Sequence, residues 1–477
     1  MKNQPTPPAH RAPAASTTTV IAVLCLVQFV DVLGVTEVLT ATPQMLRSLG
    51  AGAGAAAAVL TAYAVCFGGL LMVGARLGDR FGHRRTLLGG IALFAAGSLC
   101  AATAASVPAL VAGRCLQGAA AAISVPASLR LLIAATPSPR DRRRAMSAWS
   151  AAGAAAGASG FVIGGALTQL AGWRTMFWIN LPLALIIAAG VLRVVASRRA
   201  ERGAGLDLPG GLLFSGAVAG LVLGGSLLQP PAHLAAGVLA VAGGVALLHV
   251  TARVERRTSQ PLIPARALRG RALRTGAAAA FLNTATTSSA LAIATLELQR
   301  RQHLSAGAAG LRLMPLSLSA IAGAGLAAPA LRALGPRVVI GFGLGLIGLA
   351  DTALIALVSS GWLVAAPVAV AGAGLGLSSV AANAMGTDVA ESLQATAAGA
   401  LNTAAQLGTA LGVAALLLLS ATTAHAGIAP HGPALGWAAA GLLAVSGAAI
   451  IAARPDRLSG RPARSRAGRP NAPTPRA

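Results

Sequence analysis

The 477-residue sequence has little charge and few aromatic side chains. Charged residues make up 10% of it and aromatic residues 3%, whereas 55% of the residues are hydrophobic. About 25% of the residues in soluble domains are charged. The core of a single soluble domain could not bury this much apolar sequence, so a soluble fold is excluded. Acidic residues are especially scarce, at 12 against 37 basic ones, which gives a formal net charge of +25.

Cysteine is also rare, and residue patterns typical of enzymes are missing. The four cysteines all fall within apolar runs and have no metal-ligand spacing, so neither a disulfide framework nor a metal site is predicted. The sequence contains no G-x-x-x-x-G-K-[ST] segment, which argues against ATP as an energy source. It also has no His/Glu metal cluster or Ser/His/Asp arrangement. We therefore expect no enzyme activity, no catalytic residue, no cofactor and no metal.

Long apolar runs dominate what is present, and a bilayer is crossed by about 20 residues. Fourteen runs are long enough, at roughly 20–42, 56–76, 86–104, 107–132, 145–168, 175–193, 209–228, 234–252, 275–297, 309–330, 337–357, 362–386, 396–421 and 434–453. An even number of spans puts both termini on one side. The first run is too long for a signal peptide and carries two acidic residues, so we expect it to be retained.

The basic residues are distributed unevenly between the two sides of the predicted membrane. Thirty of the 37 fall in the tails and in the loops that share the side of the termini. Cytoplasmic loops collect Lys and Arg, so this side is predicted to be cytoplasmic. The positive charge is thereby explained without a nucleic-acid partner, and none is expected.

The connector between the second and third runs, Gly74–Leu88, reads GARLGDRFGHRRTLL. It resembles the G-x-L-a-D-r-x-G-r-r loop between helices 2 and 3 of major facilitator transporters, although Ala75 replaces the leading glycine. The alternative is a generic positively charged hairpin, which would not need this order of residues. The matching residues are Leu77, Asp79, Arg80, Gly82, Arg84 and Arg85.

Further segments resemble the fourteen-helix drug/proton antiporter family within that superfamily. Arg114–Gly118 is similar to its R-x-x-Q-G motif, and Trp173–Pro182 to its W-R-x-x-F-x-x-N-x-P motif. The resemblance implies an all-α membrane protein with a major facilitator fold of 14 transmembrane helices, in two six-helix halves plus two central extra helices. The implied layout is a disordered tail (1–19), a first half (20–193), basic linkers with the extra helices 209–228 and 234–252 (194–274), a second half (275–453) and a basic disordered tail (454–477).

The resemblance also implies a function. It points to proton-coupled efflux of lipophilic drugs or secondary metabolites by alternating access, from a monomer in the bacterial inner membrane with both termini in the cytoplasm. Its partners would be the lipid bilayer, a small lipophilic substrate and protons. Two alternatives stay open, which are a dedicated exporter of one endogenous metabolite and a membrane sensor that transports nothing.

Charged residues within spans are costly, at about 2.5–3.5 kcal/mol each at a helix centre on insertion scales. In the first span the family has an Asp where this chain has Gly34, and Asp31 and Glu37 flank that position by three residues each. We predict that one or both replace the missing carboxylate in proton coupling, because three residues is close to one helical turn. The alternatives are a structural hydrogen bond for Asp31 and a surface-seeking side chain for Glu37.

Arg114 in span 4 is the third residue predicted to act in proton coupling, as the resemblance implies. A buried guanidinium favours the ionised form of a neighbouring carboxylate, so a conformational change that breaks their contact would link protonation to access. The alternative is a structural ion pair. Asp351, near the outer end of span 11, and Arg312, in the cytoplasmic third or middle of span 10, are two more intramembrane charges.

Span 5 is rich in glycines spaced four apart, which let helix backbones approach closely. In the family this helix carries a G-P-x-x-G-G segment that is taken as the mark of an antiporter. Phe161 replaces the proline here, which weakens the match, because phenylalanine does not supply a proline bend. The glycines predicted to form the packing seam are Gly157, Gly160, Gly164 and Gly165.

Polar side chains elsewhere are candidates for a substrate cavity between the halves. Asn402 and Gln406 share one helix face at a spacing of four, Asn283 lies in a polar patch of span 9, and Gln117 follows Arg114 by three. Hydrogen bonds between helices, worth about 0.6 kcal/mol each, are an equal alternative for these residues.

The loop residues Asp79, Arg80, Gly82, Arg84 and Arg85 are predicted to form a cytoplasmic gate. Span 13 begins on the same side, and a helix N-terminus carries a partial positive charge. Asp79 is therefore expected to latch the outward-open state by contacting that terminus, with nearby arginines as further partners.

Overall fold

The computed structural model describes residues 16–52, 55–195, 208–228, 234–258, 270–389, 391–425 and 432–453, and within them every regular element is a helix. The first half contains α1 (Thr17–Ser48), α2 (Ala55–Phe81), α3 (His83–Ala102), α4 (Val107–Ala135), α5 (Pro139–Ala171) and α6 (Arg174–Val194). Two further helices follow, α7 (Leu208–Leu227) and α8 (Leu234–Arg257). Residues 1–15 and 454–477 of the predicted tails, and residues 196–207 and 259–269 of the basic linkers, lie outside the described residues, and α1 begins at Thr17, within the predicted first tail.

The second half contains seven helices because one of its spans is divided. They are α9 (Arg271–Leu296), α10 (Ala306–Leu313), α11 (Pro315–Leu334), α12 (Pro336–Leu357), α13 (Ala365–Gly386), α14 (Glu391–His425) and α15 (Gly432–Ala452). A π-helical turn, Glu297–Arg301, extends α9, and a 3₁₀ turn, Gly361–Val364, precedes α13. The helices α10 and α11 together correspond to the predicted tenth span.

The predicted all-helical membrane architecture is confirmed. Among the described residues, 12 helical segments are long and apolar enough to cross a membrane, and α2 adds one more if its two parts, bent by 52° between Leu71 and Val73, count as one span. The helix α7 corresponds to the seventh predicted span, 209–228, but its apolar helical stretch, Gly210–Gly224, is shorter than the others.

Serine residues are the N-caps of several of these helices. The hydroxyl oxygens of Ser16, Ser106, Ser138 and Ser305 accept hydrogen bonds from backbone N–H groups three residues later, at 3.1–3.4 Å. Such caps satisfy donors that have no partner within the helix. The four helices α1, α4, α5 and α10 therefore begin directly after a serine N-cap.

The two halves contact each other along two seams. One seam joins α2 to α14, and the other joins α5 to α10 and α11. The extra helix α7 packs on both α2 and α14, where Val218 and Val222 form one apolar cluster with Ala64 and Ala410. The first seam is thus covered by an additional helix, whereas the described parts of α7 and α8 have no comparable packing on the second.

The apolar core shows how the halves are arranged. We call the end of the bundle with the α2–α3 loop the basic end and the opposite end the far end. At the far end one cluster unites Leu46 and Ala57 of the first half with Leu298 and Leu313 of the second. At the basic end the two halves have separate clusters. The halves are therefore joined at the far end and divided at the basic end.

Candidate functional site

Arg114 lies on α4 inside the first half, with 1% of its surface exposed. Its Nη1 donates hydrogen bonds to the carbonyl oxygen of Gly34, at 3.0 Å, and to Oε1 of Gln117, at 2.9 Å. Gln117 in turn donates from Nε2 to Oγ of Ser98, at 2.8 Å. In the described part of the chain no carboxylate oxygen lies within 4.0 Å of the guanidinium. Arg114 is thus held by α1 and by its own helix, on the carbonyl of the residue midway between Asp31 and Glu37.

Tyr63 on α2 connects Arg114 to Asp31. The guanidinium carbon of Arg114 lies 4.7 Å from the centroid of the Tyr63 ring, which is within the range of a cation–π contact. The Tyr63 hydroxyl donates a hydrogen bond to Oδ1 of Asp31. All three side chains are buried, so a charge at one of them acts on the others with little screening by solvent.

The close approach of α2 and α4 depends on Gly118, the last residue of the R-x-x-Q-G motif. A Cβ at this position would lie 2.2 Å from the carbonyl oxygen of Tyr63. Only glycine lets the two backbones meet at this separation. The motif therefore supplies the guanidinium and also the space that places an aromatic ring under it. Tyr63 itself is absent from the predicted site, although a single tyrosine in the whole sequence was an available signal.

Glu37 lies on the other side of Gly34 and is 2% exposed. Its Oε1 has no hydrogen-bond partner among the described residues. A Cβ at Gly164 of α5 would lie 2.6 Å from the Cα of Glu37, and one at Gly160 would overlap Thr36 Oγ1 at 1.8 Å. Two of the predicted seam glycines thus pack α5 directly on the segment of α1 that carries Glu37.

The remaining two seam glycines face the second half of the molecule. A Cβ at Gly165 would lie 2.6 Å from the carbonyl oxygen of Ala306, and one at Gly157 would lie 3.4 Å from Ser317 Oγ. Phe161, which stands where the family has proline, is buried, and its carbonyl oxygen would lie 2.1 Å from a Cβ at Gly310. The helix α5 is therefore packed closely between α1 and the second half.

The α2–α3 loop forms contacts within the first half. Asp79 Oδ1 lies 3.4 Å from His83 Nε2, and Arg84 Nη2 donates to the carbonyl oxygen of Leu192 on α6 at 2.8 Å. Gly82 has φ = +88°, a conformation that favours glycine. Arg80 and Arg85 are exposed. The loop has these contacts in a structure whose halves are divided at the basic end. The predicted contact of Asp79 with the N-terminus of α14 would form when the halves close at this end, and it stays a prediction.

The polar residues predicted to line a cavity lie in different surroundings. Gln117 belongs to the Arg114 network of the first half. Asn283 is buried in the second half, where its Nδ2 donates to Ser379 Oγ at 2.7 Å. Asn402 and Gln406 on α14 are half-buried, and Gln406 meets Gly68 of α2 at the seam between the halves, where a Cβ at Gly68 would lie 2.7 Å from its own Cβ. Whether they contact substrate stays a prediction.

Two other intramembrane charges lie away from this network. Asp351 on α12 is fully buried, and neither carboxylate oxygen has a hydrogen-bond partner among the described residues. Arg312 belongs to the short helix α10 at the far end, and its guanidinium carbon lies 5.2 Å from the centroid of the Trp362 ring. Arg312 thus lies near the start of its span, Ala306–Leu334, at the end opposite the α2–α3 loop, so its predicted place in the middle of the span is wrong.

Comparisons with known proteins agree with this architecture. The family model described as Major Facilitator Superfamily matches residues 24–413. The chain is 36% identical over 302 residues to the lincomycin resistance protein of Streptomyces lincolnensis, an alignment that covers 62% of each chain. It is 32% identical over 423 residues to a puromycin resistance protein of Streptomyces alboniger, covering 86% of this chain and 83% of the relative.

The fold of a solved structure is also similar. The crystal structure of an auto-inhibited POT family peptide transporter superposes with a TM-score of 0.64 at 19% identity, over 93% of this chain and 99% of the other. At this identity the likeness concerns the fold alone. The similar fold agrees with the family match, which covers most of the chain. The chain belongs to the Major Facilitator Superfamily.

Proposed function

We propose that this chain is a secondary transporter that exports small lipophilic drugs or secondary metabolites in exchange for protons. The observation that carries the proposal is the position of Arg114, which is buried on the carbonyl of Gly34, the residue midway in sequence between Asp31 and Glu37. Burying a charge in the membrane is costly, and the ionisable groups that are found there mark ion and proton pathways. The resistance proteins among the relatives support export as the direction of transport.

The proton would act through the first helix. A proton that binds Asp31 or Glu37 removes a negative charge near Arg114, and its release restores that charge. Because Tyr63 links Asp31 to Arg114, each change in charge alters the force that holds α1 against α2 and α4. Protonation of α1 would thereby change how α1 packs against α2 and α4 inside the first half.

The helix α5 would transmit this signal to the second half. It packs on Thr36 and Glu37 of α1 through Gly160 and Gly164, and on α10 and α11 through Gly165 and Gly157. Such glycine contacts transmit displacements because they leave no compressible space between backbones. A shift of α1 on protonation would therefore alter the seam along which the two halves rock.

The orientation follows from the charge distribution. We place the basic end and both termini in the cytoplasm, in the inner membrane of a bacterium, because basic loops stay on the cytoplasmic side. The arrangement in the structure, with halves joined at the far end and divided at the basic end, then corresponds to the inward-facing state. A monomer suffices for this cycle, because both halves belong to one chain.

A second candidate is a dedicated exporter of one endogenous metabolite. Several of the similar proteins are named after a single compound. One is the methylenomycin A resistance protein of Streptomyces coelicolor, which is 30% identical over 84% of this chain. This observation favours a narrow substrate range. The helix arrangement and the proton site are the same in both candidates, so they differ only in the substrate that the cavity accepts.

The test uses inside-out membrane vesicles with an imposed proton gradient. Lipophilic cations and neutral antibiotics are added one at a time, and dissipation of the gradient is followed with a pH-sensitive dye. We expect dissipation with the wild-type chain and none with Arg114→Ala at equal expression. Dissipation by many compounds supports a multidrug exporter, and dissipation by one class supports the dedicated exporter. Unchanged dissipation in Arg114→Ala would contradict the proposed role of the arginine.

A further inference from the structure

A buried hydrogen bond joins the two halves at the far end. The Gln299 side chain donates from Nε2 to the carbonyl oxygen of Thr40, at 2.7 Å. Gln299 belongs to the π-helical turn that extends α9 in the second half, and Thr40 belongs to α1 in the first half. The exposed fraction is 2% for Gln299 and 0% for Thr40. The bond is therefore shielded from water, and it crosses the boundary between the halves.

The sequence of α1 favours an acceptor at this point. Pro43 lies inside the helix. A proline inside a helix removes the donor for the carbonyl four residues earlier, here that of Leu39, and disturbs the turn between the two residues. This turn contains Thr40. The amide of Gln299 therefore meets a carbonyl in a turn whose own hydrogen bonding is incomplete.

The apolar core holds the donor in place. Leu298, the residue before Gln299, is fully buried in the far-end cluster that unites the two halves. π-helical turns are rare and occur frequently at functional sites. The turn Glu297–Arg301 thus has one residue in the core of the far end and the next residue bonded to α1.

The acceptor lies on the far-end side of Glu37. Thr40 follows Glu37 by about one helical turn, and its Oγ1 donates to the carbonyl oxygen of Glu37 at 2.9 Å. The Thr40 side chain also meets the second half, because a Cβ at Gly310 would lie 3.6 Å from its Cγ2. Glu37 is 2% exposed. The contacts of Thr40 with the second half therefore form part of the cover over this carboxylate.

We propose that the hydrogen bond from Gln299 to Thr40 is a far-end latch, which keeps the far end closed over Glu37. Its donor and acceptor belong to different halves, so the bond breaks when the halves separate there. Water then replaces each partner, and the net contribution of such a bond is small enough for the latch to open and close again. A proton from the far side would reach Glu37 only after the bond has broken. That consequence rests on the proposed function, whereas the far-end latch is measured without protons or substrate.

The test compares Gln299→Met with Gln302→Met. Methionine is about as long as glutamine and has no N–H group to donate. Gln302 provides the matched control, because its Nε2 donates to the carbonyl oxygen of Val358 at a similar distance, 2.8 Å, but within the second half. Both variants thus remove one amide-to-carbonyl hydrogen bond near the end of α9, and only the first bond joins the halves.

Pulsed electron paramagnetic resonance measures the separation of the halves at both ends. Spin labels are attached at exposed positions in a chain without its native cysteines, one pair at the far end (Leu170 and Leu363) and one at the basic end (Phe81 and Leu334). We expect Gln299→Met to raise the ratio of open to closed far ends by about 2- to 12-fold. Distances at the basic end should shorten in the same variant, and Gln302→Met should match wild type.

The opposite changes at the two ends distinguish a latch from a loosened fold. Longer distances at both ends would overturn the proposal, and so would an unchanged Gln299→Met or an equal shift in Gln302→Met. Thermal unfolding checks that each variant is folded, and Gln299→Leu replaces the methionine variant if that one is not. Proton-gradient dissipation by wild-type vesicles is measured separately, so a failed latch and a failed transport proposal give different results.

Discussion

Gly165 offers a direct way to disturb the contact between the two halves. In Gly165→Ala the new Cβ would lie 2.6 Å from the carbonyl oxygen of Ala306 and 2.9 Å from the Cα of Gly307, both on α10 of the second half, whereas ordinary contacts begin at 3.4 Å. The obstructing atoms belong to the backbone and do not rotate away. The substitution should therefore push α5 away from α10 and disfavour the state in which the far end is closed.

The expected size follows from measurements on overfilled cores. An extra methyl group in a tightly packed site costs about 1–3 kcal/mol. If the cost falls on one of two conformations only, their ratio changes by about 5- to 150-fold. A transporter that rests closed at the far end would then spend a measurable fraction of its time open there.

Pulsed electron paramagnetic resonance measures this fraction. Spin labels on cysteines at the exposed positions Leu170 and Leu363, one on each half, report the separation of the halves in a chain whose native cysteines have been replaced. We expect Gly165→Ala to add a population with longer distances. The control is Gly345→Ala in α12, because a Cβ there meets no atom within 4 Å. Identical distance distributions for Gly165→Ala and wild type would refute the idea that this seam sets the conformation.

Three further predictions concern the proton site and the loop. Tyr63→Phe removes the hydrogen bond to Asp31 and keeps the ring under Arg114, so we expect a shifted pH profile of transport with at most a small change in melting temperature; an unchanged profile would contradict the link. Gly34→Asp should be tolerated, because a Cβ at Gly34 meets nothing within 4 Å, and it should restore part of the proton-driven transport lost in Asp31→Asn. Failure of the double variant to gain activity would count against replacement of the missing carboxylate. Asp79→Asn is expected to slow transport at equal expression, and an unchanged rate would dismiss the latch.

The sequence predicted the helical architecture well because the apolar runs and the basic loops have simple physical causes. A bilayer requires about 20 apolar residues per span and retains arginines on one side, and both patterns are visible without any structure. Helix α7 is the least certain of the fourteen predicted spans, because its apolar helical stretch is short. Its place over the seam between α2 and α14 depends on packing between residues about 150–200 apart, which no local pattern reveals.

The site was predictable in part for the same reason. The cost of a buried charge drew attention to Asp31, Glu37 and Arg114, and the structure places all three within the first half, around Gly34. Tyr63 was not predicted as part of the site, because the free-energy cost of a tyrosine within an apolar run is small. Its contact with Arg114 depends on the close approach of α2 and α4 at Gly118. The spaced glycines of span 5 predicted a close helix contact, but no local pattern in the sequence shows which two helices meet.

We propose that Asp31 and Glu37 carry the coupled proton and that movement of the substrate does not require them. The Asp31→Asn/Glu37→Gln double variant is compared with wild type in proteoliposomes. The first assay measures accumulation of a transported compound against its concentration gradient under an imposed pH gradient. The second measures exchange of labelled for unlabelled compound in the absence of a pH gradient. The account predicts that accumulation is lost while exchange continues. Accumulation at the wild-type level in the double variant would contradict it, because the proton would then be carried elsewhere in the chain.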